Sequence, residues 1–166
     1  MSNVIEAIAV FNDNKPSRNK VYGYVIFKES TRSNNILIEI NLAGLKPGKH
    51  GFHIHETGNL LDSCKGCKGH FNPFNQKHGG INSKIRHVGD LGNIIANDNG
   101  ICQMKLRDNM ISLRDITRSI IGRSIVIHSD EDDLGNGNNP ESLVTGNAGS
   151  RIACAVIGYK NVIYFK

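Results

Sequence analysis

Apolar residues recur along this chain mostly at every second position. Val4 to Phe11 is apolar and rich in β-branched residues, and Tyr22, Tyr24, Ile26 and Phe27 lie within a strand-like run from Val21 to Lys28. Ile36, Ile38 and Ile40 alternate with Leu37, Glu39 and Asn41. Further strands are predicted at Gly51–His55, Val88–Leu91, Ile101–Leu106, Ser124–His128, Ile152–Gly158 and Val162–Phe165, with clusters of Gly, Asn, Asp and Ser between them. No segment sustains a helical apolar period. Short strands punctuated by turn signals predict an all-β sandwich or barrel. Two stretches lack strand character, Glu56 to Arg86 and Ser129 to Ser150. Connections longer than about 12–15 residues in a compact domain usually carry function or disorder.

Composition narrows the class. The 166 residues predict a single domain spanning 1–166. With 39% hydrophobic and 21% charged residues, a disordered chain and a collagen are excluded. No run approaches the ~18–20 apolar residues of a spanning helix, so no membrane partner is expected. Met1 to Lys20 lacks a basic region followed by an apolar one, so a cytoplasmic protein is expected. The formal charge is +5, but no basic run exceeds two residues and no basic stripe interleaves with aromatics. The charge therefore reads as a solvated cationic surface, and no nucleic-acid partner is expected.

Histidine changes the picture. All seven, His50, His53, His55, His70, His78, His87 and His128, lie in the middle of the chain, in or beside the two long stretches. His53 and His55 stand two apart on a strand, so alternation puts both on one face, within reach of one ion. His70, His78, His87 and Asp90 follow with the spacing H-x7-H-x8-H-x2-D. Three imidazoles and a carboxylate form a natural tetrahedral zinc set. His128 ends another apolar strand and can join His53 and His55. Copper accepts several imidazoles and changes oxidation state. Spacing thus predicts a histidine-rich metal protein without fixing the metals or the reaction. Cys64 and Cys67 form a C-x-x-C, which reads as zinc-binding or redox-active, though no second such pair exists. Cys102, in the alternating Ile101 to Leu106 segment, reads as a small half-buried residue.

Several blocks together resemble the copper/zinc superoxide dismutase family. They are Gly51-Phe52-His53-Ile54-His55-Glu56, Gly69-His70-Phe71-Asn72-Pro73, His78-Gly79-Gly80 and Arg86-His87-Val88-Gly89-Asp90-Leu91-Gly92-Asn93. Ile121-Gly122-Arg123, Asp132-Asp133-Leu134-Gly135 and Gly146-Asn147-Ala148-Gly149-Ser150-Arg151-Ile152-Ala153-Cys154 continue the match in order. The resemblance implies a flattened eight-stranded Greek-key β-barrel with two long functional loops. It implies an antioxidant enzyme that converts two superoxide anions to dioxygen and hydrogen peroxide by alternate reduction and reoxidation of copper. By likeness, His53, His55, His70 and His128 hold copper, while His70, His78, His87 and Asp90 hold zinc, with His70 bridging the two. Asp132 matches the carboxylate that bonds one copper histidine and one zinc histidine. Arg151 matches the arginine that positions superoxide, and Thr145 the threonine that narrows the channel. Cys64 and Cys154 match the family disulfide, and His50 a structural histidine. Ile8, Val10, Ile121 and Val156 match a dimer patch, and a copper-loading partner is implied as well.

The chain also departs from the family pattern. Pro140 and Val144 stand where a glutamate and a lysine are common, and Asp130 where a second lysine is. Lys65 and Lys68, on the approach to His70, are the candidates for replacing that positive charge. Thr57 replaces an aromatic near the dimer patch. Cys67 lies outside the pattern; an alternative disulfide partner, a copper-docking thiol and an idle loop residue are all open to it. Residues 159–166 form an apolar extension.

Overall fold

The computed structural model describes residues 4–16 and 20–161. Nine strands form within them: β1 (Val4–Phe11), β2 (Tyr22–Ser30), β3 (Ile36–Ala43), β4 (Gly48–His55), β5 (Asp90–Ala96), β6 (Cys102–Asp108), β7 (Ser124–His128), β8 (Arg151–Val156) and β9 (Gly158–Tyr159). The one α-helix among the described residues is a single turn, α1 (Ser142–Thr145). The strands build two antiparallel sheets, ordered β6-β3-β2-β1-β9 and β5-β4-β7-β8. Strands β6 and β7 return to pair with β3 and β4, the crossed connectivity of a Greek key.

Alternation decides which side chains meet between the sheets. Ala7, Ala9 and Phe11 of β1, Val25 and Phe27 of β2, and Ile36, Ile38, Ile40 and Leu42 of β3 are buried in one apolar cluster. Phe52, Ile54, Ile94, Ile125 and Ile127 meet them from the other sheet. Burying each such side chain contributes about 1.5–3 kcal/mol. On β4 the intervening residues His53 and His55 are buried as well, on the opposite face, under the long loops. The strand is therefore covered on both sides, by core and by metal-ligand chemistry.

Three boundaries differ from expectation. The strand predicted at Val88–Leu91 is instead β5, because Ile94 and Ala96 supply its inward face while Val88 packs before it begins. The Ile152–Gly158 strand divides into β8 and β9, and β9 pairs with β1 through Ala7↔Tyr159 and Ile8↔Gly158. The first part of the C-terminal extension therefore lies along β1; the predicted strand Val162–Phe165 is outside the described residues. A third long connection, 109–123, carries the buried Ile111, Leu113 and Ile120 as an apolar plug. It is tied to β2 by the buried Glu29, whose carboxylate accepts from Leu113 N–H at 2.7 Å and from Arg114 Nη2 at 3.3 Å.

Candidate metal centre

Four elements carry the histidines. Strand β4 supplies His53 and His55, and the end of β7 supplies His128. The 56–89 connection supplies His70, His78 and His87, and β5 opens with Asp90. An isolated bridge pairs His70 with His55, which fixes the loop against the strand. His78 is held from the other side, where its N–H donates to the Leu143 carbonyl at 2.9 Å. Both long loops thereby close over one face of the smaller sheet.

Ligand atoms of His53, His55, His70 and His128 lie within 4.8 Å of one another, and so do those of His70, His78, His87 and Asp90. His70 belongs to both groups. His53, His55 and His128 are each oriented by a hydrogen bond through one nitrogen, which leaves the other bare. His53 Nε2–H donates to Asp132 Oδ2 at 2.7 Å, and His55 Nδ1–H to the Lys68 carbonyl at 2.7 Å. His128 Nδ1–H points at the Gly149 carbonyl at 3.2 Å. The Nε2 atoms of His55 and His128 then face each other at 3.4 Å, two lone pairs with no acceptor-to-donor match unless a cation lies between.

The bare nitrogens are the test of fit. Among the described residues, His53 Nδ1, His70 Nε2 and His78 Nδ1 are buried polar side-chain atoms without a hydrogen-bond partner. Buried polar atoms are rarely left so, and a metal ion would satisfy all three. His78 Nδ1 is 3.0 Å from Asp90 Oδ2 but not aligned for a hydrogen bond, as expected of two ligands of one ion. His70 Nδ1 approaches Asp90 Oδ1 at 2.8 Å and His87 Nδ1 at 3.3 Å, so its two nitrogens serve opposite groups.

Electrostatics agrees for His53, His55, His70 and His128. Burial, then repulsion from His70, pushes the His53 pKa down to about 3 against the pull of Asp132. Burial lowers His128 to about 4 and also lowers His55 and His70. These rings are neutral at physiological pH, the state a metal needs. For His78, burial is outweighed by the Asp132 and Asp90 carboxylates, which lift it to about 9. Burial would raise Asp132, but the His53 and His78 rings bring it down to about 2.

Asp132 joins the two groups. Its second oxygen accepts from His78 Nε2–H at 2.8 Å. His53, His78 and Asp132 also cluster within 4.8 Å, but their facing atoms are consumed by these hydrogen bonds, so the trio is a brace. Gly146 makes room for it: a Cβ there would come within 1.9 Å of Asp132 Oδ1, and its φ of 67° suits glycine. Asn93, to which the sequence assigns no role of its own, clamps the Asp132 backbone from both sides at 2.8 Å.

The remaining predicted residues fall around this centre. Beside it opens a cavity of about 550 Å³ lined by His55, His70, His128, Thr145 and Arg151, with Glu141 and Val144 on its wall. Arg151 Nη1 donates to the Cys64 carbonyl at 2.7 Å. Cys64 and Cys154 form a disulfide. Thr145 Oγ1 donates to Glu141 Oε1 at 2.9 Å. His50 contacts the His128 and Lys46 carbonyls, each at 2.8 Å, away from both groups. Cys67 and Cys102 are buried free thiols. Burial weighs against the copper-docking role for Cys67.

Comparison with known proteins gives this geometry its family. The family model for copper/zinc superoxide dismutase (SODC) matches residues 21–157. The chain belongs to the copper/zinc superoxide dismutase family. It is an enzyme that converts superoxide to dioxygen and hydrogen peroxide, with copper and zinc as cofactors. A Cu-Zn superoxide dismutase of Paramecium bursaria Chlorella virus 1 is 57% identical over 140 residues, 84% of this chain and 73% of that protein. An extracellular Cu-Zn superoxide dismutase of Drosophila melanogaster is 48% identical over 157 residues, 94% of this chain and 86% of that protein. The crystal structure of the clock protein EA4 superposes with a TM-score of 0.86 at 39% identity, covering 95% of this chain and 96% of that one. Among the described residues, no helix is long and apolar enough to cross a membrane.

Proposed function

We propose that His53, His55, His70 and His128 hold the copper of this dismutase and that His70, His78, His87 and Asp90 hold the zinc. The observation that carries this division is the pattern of bare nitrogens. Four imidazoles with no carboxylate suit copper, whereas three imidazoles and a carboxylate suit tetrahedral zinc. When bound, copper supplies one-electron redox chemistry, and redox-silent zinc supplies fixed charge.

The residues of the chain do the rest. Arg151 offers a guanidinium at the cavity wall, held toward the Cys64 carbonyl, and binds the superoxide anion. Thr145, braced by Glu141, narrows the passage. The buried His70 Nε2 has no competing protein partner, so, when not bound to metal, it would hold a proton and deliver it to peroxide as that product forms. Asp132 fixes the tautomers of His53 and His78 by accepting from both.

The experiment is metal analysis coupled to superoxide consumption, before and after selective copper removal. Copper-dependent activity is expected to vanish on removal and return on reloading. Zinc alone, with no copper-dependent activity, would overturn the reading.

The protein also reads as a homodimer through Ile8, Val10, Ile121 and Val156. Strand pairing sets Ile8 opposite Gly158, and a Cβ on Gly58 would meet the Gly122 carbonyl and Val156, so these segments adjoin. Val10 and Val156 are 44% and 39% exposed there, an apolar surface that a second copy would cover. Sedimentation is expected to return twice the chain mass, and Val156→Glu to shift it toward the monomer.

A further inference from the structure

The substrate is an anion, yet one wall of its approach is acidic. Residues 129–150 contain no Lys or Arg and include Asp130, Glu131, Asp132, Asp133 and Glu141. Lys49 neutralises Glu131 at 2.6 Å, but Glu141 stands on the cavity wall itself. Gly69 and His70 line another part of the cavity, and Lys68 and the 3-10 turn Ser63–Cys67, which carries Lys65, lead directly into them. Lys65 and Lys68 are exposed, and neither is paired with a carboxylate among the described residues. The acids of that side are Glu56, which lies beside the Arg123 guanidinium, and Asp62, at the end of the turn away from Gly69.

Lys68 carries a second peculiarity. Its φ of 63° and ψ of −148° place it in a region that glycine enters freely and other residues enter at a cost. Gly69, the next residue, does not have a positive φ. The chain thus has lysine at the strained position and glycine at the unstrained one. The conformation is locked, because the Lys68 carbonyl accepts from His55 Nδ1–H at 2.7 Å and its N–H bonds the Lys65 carbonyl at 3.1 Å. The Lys65 carbonyl in turn lies 3.4 Å from Arg151 Nη1. Strain retained at the edge of a reaction site marks a residue kept for something other than stability.

We infer that Lys65 and Lys68 are the steering residues of this enzyme and draw superoxide in along the disulfide side of the cavity, with Lys68 held in a strained backbone for that purpose. They act on the anion's approach through their field, while Arg151 meets it at the end of the path. Steering of superoxide by surface charge is established for this family of enzymes; its placement on this side of the cavity is particular to this chain. The inference rests on the dismutase reading above.

The test is kcat/KM for superoxide against ionic strength, with copper-loaded parent, Lys65→Gln/Lys68→Gln and Lys68→Gly, beside melting of the metal-free proteins. The parent rate is expected to fall as salt rises. In the double variant, kcat/KM is expected to drop about three- to tenfold at low salt and its salt dependence to flatten. Lys68→Gly is expected to melt several degrees higher in the metal-free state, since it relieves strain, while losing rate at low salt. A structural role for Lys68 would lower stability instead. An active parent whose salt profile the double variant shares overturns this inference alone. A parent with no copper-dependent activity removes the dismutase reading and the inference together.

Discussion

Asp132→Asn is expected to weaken metal binding at both groups together, by about 10–100-fold at each. The carboxylate accepts from His53 Nε2–H at 2.7 Å and from His78 Nε2–H at 2.8 Å, and from Leu134 N–H at 2.7 Å. Asparagine has the same shape but only one accepting oxygen. The ring that meets its amide NH2 must present a bare nitrogen, which moves the proton to the opposite atom. That atom is Nδ1 in both rings, one of the buried nitrogens left free for metal. The other ring keeps a hydrogen bond but loses its charge assistance. One substitution therefore removes a ligand tautomer at one group and weakens orientation at the other. Competition with a chelator, read separately for copper and zinc, measures this. Loss at one metal with the other untouched would refute the shared-brace account, because it would mean that one ring is oriented without Asp132.

The brace also marks where sequence reading stopped. The ligand residues were legible because imidazole is chemically conspicuous and because alternation along β4 places His53 and His55 on one face. The strands were legible for the same reason, since buried and outward positions alternate through β2 and β3. What orients the rings is partly backbone: the Lys68 and Gly149 carbonyls hold His55 and His128 and carry no residue signature. Asn93 clamps Asp132 through a side chain that reads as an ordinary strand interruption. That interruption also hides the start of β5: the apolar run before it ends at Leu91, whereas the inward pair Ile94 and Ala96 follows it. The 109–123 plug went unrecognised because its apolar residues have no period, only a destination between the sheets. The strained lysine was invisible too, since a φ of 63° at residue 68 is a fact of closure over the cavity rather than of local composition.

The largest loss of stability is expected from Cys64→Ser/Cys154→Ser. Both cysteines are replaced so that Cys64 is not left free beside the Cys67 thiol of the same turn. The bond spans a sequence separation of 90, and the loop-closure entropy it removes from the unfolded chain corresponds to about 4–5 kcal/mol. For a protein of this size the melting temperature should fall by about 10–20 °C. Activity should fall further than stability alone accounts for, at temperatures where the variant is still folded. The disulfide fastens the Ser63–Cys67 turn to β8, and the Cys64 carbonyl on that turn is the acceptor that aims Arg151, a residue of β8 itself. Freeing the turn leaves the guanidinium aimed by hydrogen bonds alone, and misplacement by about 1 Å can cost a hundredfold in rate. Melting curves and kcat/KM on metal-loaded protein separate the two effects. A variant that melts lower but keeps the parent kcat/KM would show that β8 positions Arg151 without the turn. The double role is what the geometry predicts, since the bond that restrains the unfolded chain also fastens the turn whose carbonyl aims Arg151 to the strand that carries Arg151.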